Sequence, residues 1–113
     1  MNIYRDTLNY ARTCLASQGV SKAFADSPYT VPAWGYVVEV DASGGNVTVN
    51  LPTAVGNLGG LIVVRKTDNS ANTVTIDPNG AETIDYPPAA TFVIYSQGES
   101  VDCRSNNANV AVE

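Results

Sequence analysis

GYVVEVDASGGNVTVN, residues 35–50, is the stretch on which the fold reading turns. Its two runs, 35–41 and 46–50, place valines at alternate positions between polar residues, and a period of two belongs to a strand rather than a helix. Ala42, Ser43, Gly44 and Gly45 between them are turn formers, so the segment is expected to be a hairpin with a four-residue loop. The same grammar runs on to the C-terminus. Strands are expected at 61–67 (LIVVRKT), 73–77 (TVTID), about 82–85, 91–97 (TFVIYSQ), 99–105 (ESVDCRS) and 109–113 (NVAVE). They are separated by LPTAVGNLGG (51–60), NSAN (69–72) and the turn Pro78-Asn79-Gly80. About eight strands with no helical segment among them predict a mainly β fold, a small antiparallel β-sandwich or barrel over residues 35–113.

Upstream the pattern changes. Residues 20–34 carry Pro28 and Pro32, which forbid a continuing helix and favour extended backbone, so this stretch reads as an extended linker. In residues 1–19 the apolar positions Tyr4, Leu8, Ala11 and Leu15, with Ile3, Tyr10 and Cys14 alongside, mark one face of a 3.6-period helix. Asn2 suits its N-cap and Gly19 its C-terminal end. A helix with so narrow a stripe is unstable alone and must dock, either on its own domain or on equivalent helices or a larger assembly.

The chain has 113 residues, a net charge of −5 and no histidine. Without histidine, triad hydrolases, HExxH metalloproteases and Cys/His zinc sites are largely excluded. The acidic balance disfavours nucleic acid and anionic membranes as partners, and the six basic residues form no patch. No window approaches the roughly 20 apolar residues of a membrane span, and the N-terminus does not read as a secretory leader. The two cysteines, Cys14 and Cys103, are therefore expected to be reduced thiols acting as small apolar fillers.

No residue set points to catalysis. Glu39, Glu82 and Glu99 are the internal glutamates, and each lies on an expected strand or turn where a solvated carboxylate is the ordinary explanation. Asp77-Pro78-Asn79-Gly80 lacks the further ligand positions of a calcium loop. Trp34 stands where the linker meets the first strand and is expected to seal that junction. Arg65 and Lys66 end a strand in charge, as a solvated edge or one side of an intersubunit ion pair. Neither cofactor nor metal is expected.

Residues 46–102 carry a recurring set of pieces. These are Val49-Asn50-Leu51-Pro52, Lys66-Thr67-Asp68, the run Asn72 to Ile76, the run Gly80 to Asp85, and the turn Gln97 to Ser100. Together they resemble a β module of tailed-bacteriophage structural proteins, found in tail-fibre segments, head fibres and capsid decoration (cement) proteins. Such modules usually end in a Trp-containing strand after an Asn-Gly turn, whereas here Asn106, Asn107, Ala108 and Asn109 lead into Val110 with no Trp. The resemblance implies a non-enzymatic virion protein, usually a homotrimer. A short chain beginning at Met1 suits a lattice-capping protein better than a fibre, so the expectation is a cement protein on the capsid surface, assembled in the host cytoplasm and clamping major capsid subunits. A tail-fibre or receptor-binding module is the alternative. Candidate capsid or trimer contacts are Ile3, Tyr4, Leu8, Ala11, Leu15, Trp34, Arg65 and Lys66.

Overall fold

The computed structural model describes residues 18–86 and 88–112. Its strands are β1 (Gln18–Ala23), β2 (Tyr29–Thr30), β3 (Tyr36–Asp41), β4 (Val47–Asn50), β5 (Leu61–Lys66), β6 (Val74–Asp77), β7 (Ile84–Tyr86), β8 (Pro88–Ala89), β9 (Phe92–Ile94), β10 (Ser100–Ser105) and β11 (Val110–Val112). A 3-10 turn, Phe24–Asp26, follows β1. One sheet has the order β1-β3-β5-β10-β11-β7-β8 and the other β2-β4-β6-β9. The fold is mainly β, as its alternating valines predict.

The sheets are mixed, not antiparallel, and residues 35–50 are not a hairpin. β3 lies in the larger sheet, parallel to β1 and β5, while β4 lies in the smaller, parallel to β2 and β6. The turn after Asp41, closed by the Gly45 N–H donating to the Ala42 carbonyl (3.1 Å), therefore carries the chain from one sheet to the other. Three successive coils each add one strand to each sheet, as in a short β-helix. Parallel neighbours need a crossover between them, and here the strand in the opposite sheet supplies it. The coils stack side chains in rows: Val20, Val38 and Val64 in one sheet, Tyr29, Val49 and Ile76 in the other. β10 and β9 then close the stack antiparallel to β5 and β6.

Residues 20–34 include extended strands on either side of the 3-10 turn, and they are built into the sheets rather than linking to them, since β1 and β2 make the first coil. Gln18 and Gly19, expected as the end of a helix, open β1 instead. The rest of the expected helix, with Ile3, Tyr4, Leu8, Ala11 and Leu15, lies outside the described residues. No described helix is long and apolar enough to cross a membrane.

The inward faces meet in one core. Val38, Val40, Ile62 and Val64 from one sheet pack with Val47, Val49, Val74, Ile76 and Ile94 from the other, all fully buried. Each such side chain contributes about 1.5–3 kcal/mol by leaving water. Cys103 belongs to this core as a free thiol. Burial, with the Asp102 carboxylate beside it, pushes its pKa up to about 12. The Cys103 thiol of the folded protein is therefore expected to resist maleimide at pH 8 and to react only when the domain is unfolded, as counting labelled thiols with and without denaturant would show.

Candidate docking loop and the framework that holds it

Pleat parity decides the fate of the basic pair at the end of β5. Ile62, Val64 and Lys66 share one face of the strand, so Lys66 points inward and is fully buried. It is not a solvated edge residue and cannot touch a partner. Its ammonium instead donates to the Asp68 carboxylate (2.9 Å), the Asp68 carbonyl (2.9 Å) and the Ser70 carbonyl (3.1 Å). Asp68 also accepts from the backbone N–H of Ala42 (2.7 Å) and Ser70 (3.0 Å), and from the Ser70 hydroxyl in a short contact. Burial alone would raise the Asp68 pKa. The hydrogen bonds from Ser70, Lys66 and Ala42 outweigh it and hold the carboxyl well below the usual carboxylate range. This pair ties the turn after β3 to the turn after β5. Arg65, one residue earlier, faces out, is half exposed and lies 3.9 Å from Glu39, a surface pair contributing no more than about 1 kcal/mol.

The connection 51–60 is tied along its length. Leu51 and Ala54 are buried anchors. Glu82 accepts from the Thr53 hydroxyl (2.7 Å) and the Ala54 N–H (2.9 Å). Asn107 accepts from the Gly56 N–H (2.7 Å), and the Ser105 hydroxyl donates to the Ala54 carbonyl (2.6 Å). Gly59 and Gly60 exchange backbone bonds with Ser105. Gly59 has φ +81°, open to glycine at little strain. Trp34 donates its indole N–H to the Thr53 carbonyl (2.8 Å) and packs partly buried against the core, the junction role expected of it. Its ring lies so close to Gly60 that an added Cβ would come within 2.8 Å of Cγ. Gly60→Ala is expected to destabilise the domain by about 1–3 kcal/mol, measurable by urea unfolding, because ring and loop must both shift.

What this bracing presents is apolar. Val55 and Leu58 are 59% and 75% exposed on this loop. Large aliphatic side chains already held out to water on a tied loop would meet a partner at little ordering cost. Sequence reading passed over both residues because Gly, Pro and Asn mark the segment as a mere connection. The one signal was Leu58 standing among turn formers with no alternating neighbour.

Each of the three glutamates has a partner: Glu39 faces Arg65, Glu82 holds the loop, and Glu99 accepts from the N–H of Tyr95 (3.1 Å) and Ser96 (3.4 Å). Among the described residues, no group of three or more Asp, Glu or Cys side chains is arranged to hold a metal ion. A hollow of 410 Å³ lies at the ends of β2, β4 and β6, lined by Thr30, Asn50, Leu51, Asp77, Pro78, Asn79 and Gly80. Set against known proteins, the chain matches no family model and no curated sequence.

Proposed function

We propose that the chain is a structural virion protein of the capsid cement or decoration type, which docks at joints between major capsid subunits and stabilises the head shell. The observation that carries this reading is the braced loop 51–60 with Val55 and Leu58 held out to solvent. A small rigid domain with a preformed apolar tip suits a site repeated by symmetry, where each copy needs only a modest interface and the shell multiplies the effect.

The pieces that resemble phage structural proteins support the same reading, because in this fold they are joints. Lys66 and Asp68 bolt two turns together, Leu51 is a core anchor, and Gly98 turns the chain between β9 and β10 with its N–H on the Lys66 carbonyl (2.7 Å). A homotrimer is part of the proposal, and light scattering on the purified protein should give three times the chain mass. The second reading, a tail-fibre or receptor-binding module, draws on the hollow at Asn50, Asp77 and Asn79, whose polar groups suit sugar hydroxyls, and on Tyr95, which is 66% exposed.

Labelled antibody against the chain separates the two on intact particles. Label spread over the head is the expected result. Label confined to tails would overturn the cement reading in favour of the second.

A further inference from the structure

The turn Pro78-Asn79-Gly80 carries chemistry of its own. An asparagine side-chain amide is open to attack by the backbone nitrogen of the next residue when that nitrogen is unhindered and neither group is tied. Asn79 and Gly80 are both exposed. Gly80 occupies the first central position of the turn that the Glu82 N–H closes on the Asn79 carbonyl (2.9 Å), with φ +54°. It has no side chain to shield its nitrogen, and even an added Cβ would meet no atom within 4 Å, so the approach is open. Neither the Asn79 side chain nor the Gly80 N–H has a hydrogen-bond partner among the described residues.

Asparagines elsewhere in the fold are held. The Ser70 N–H that follows Asn69 donates to the Asp68 carboxylate (3.0 Å), and the Val47 N–H that follows Asn46 donates to the Thr73 carbonyl (2.9 Å). The Asn107 N–H that follows Asn106 donates to the Ser105 hydroxyl (3.1 Å), while Asn57 has its own side-chain amide on the Thr53 carbonyl (3.0 Å) and is followed by a bulky leucine. We propose that Asn79-Gly80 is a site of spontaneous deamidation in the folded protein. The Gly80 nitrogen attacks Cγ of Asn79, the new C–N bond closes a cyclic imide, and the side-chain nitrogen leaves as ammonia with the Gly80 proton. Water then opens the imide at one of its two carbonyls, giving aspartate from one and isoaspartate from the other. Either product sets a new carboxylate near Asp77 in the hollow at the ends of β2, β4 and β6. Isoaspartate also adds a methylene to the backbone of the turn that positions Glu82, the residue that holds Thr53 and Ala54. The reaction needs no co-reactant but water, and it is independent of where on a particle the protein sits.

The test uses the full chain. Folded protein is kept in warm, mildly alkaline buffer, and its peptides are separated and weighed at intervals. The peptide that contains Asn79 should gain about 1 Da and divide into two products, of which the isoaspartyl one accepts a methyl group from an isoaspartate methyltransferase. Conversion there should be at least about 5-fold faster than at Asn46, Asn69 or Asn106, where a hydrogen bond must break first. A parallel sample in urea separates the contribution of the turn from that of the dipeptide alone. Because the attack requires no local opening, the folded rate at Asn79 should lie within about threefold of the rate in urea. Absence of the mass gain, a smaller margin over the held asparagines, or a folded rate further below the rate in urea would show that the turn protects Asn79 and would overturn the proposal.

Discussion

Asp68→Ala should remove about 3–5 kcal/mol of folding stability, because it leaves the fully buried Lys66 ammonium without its counter-charge. For a domain of this size the total is of order 5–15 kcal/mol, so the variant should unfold roughly 10–25 °C lower or fail to accumulate. The physical cause is specific. Lys66 keeps two carbonyl acceptors, but it loses the carboxylate, and the N–H groups of Ala42 and Ser70 lose their acceptor as well. Replacing both charged residues, as in K66M with D68A, should recover part of the loss, because the uncompensated buried charge is gone. Urea unfolding of the two single variants and the double gives the coupling directly. A strictly additive result would deny the pair its role.

The same pair sets an acid limit. Asp68 has its folded pKa depressed, so the stability it contributes is fully present above its unfolded pKa, near 3.9, and is lost as pH falls below that. In that window the unfolded chain takes up a proton that the folded chain refuses. Unfolding free energy should therefore be flat from this source between pH 5 and 8 and decline steadily below about pH 4, with D68N showing a shallower decline. Fluorescence-monitored urea titrations at several pH values would measure it.

The second large effect concerns binding. Val55→Asp combined with Leu58→Asp should leave folding within about 0.5 kcal/mol of the parent, since both side chains already face water. Shell binding should fall by at least about 30-fold, because an apolar contact of this kind is worth on the order of 2 kcal/mol or more when a charge must be buried in its place. Substituting Arg65, half exposed beside Glu39, should have a far smaller effect on either quantity.

Strand positions were legible in the sequence, and their arrangement was not. Runs such as Tyr36–Asp41, Val47–Asn50 and Ser100–Ser105 alternate apolar with polar residues, and alternation reports one buried face whichever sheet the strand joins. Val37–Val40 and Val47–Val49 thus look the same as hairpin partners or as strands of opposite sheets, and only the parallel register with β5 and β6 decides between them. β1 and β2 went unread because Lys22, Ser21 and the prolines around Tyr29 suggest a solvated connection, and neither strand has a run of β-branched residues. Lys66 could have been placed by parity alone, two residues beyond Val64 in the inward phase. Its charge suggested solvent, and a buried ammonium depends on acceptors from Asp68 and Ser70 that a strand pattern does not describe. Val55 and Leu58 were missed for the converse reason, because exposure of an aliphatic residue is set by the loop's bonds to Glu82, Ser105 and Asn107, far along the chain.

Co-sedimentation of the purified protein with heads assembled without it tests the central claim most directly. The protein should bind to saturation at a number of copies fixed by the shell lattice, raise the temperature at which the heads break open, and lose both effects in V55D/L58D. Failure of the folded parent protein to bind heads, or binding that the double substitution leaves intact, would contradict the claim.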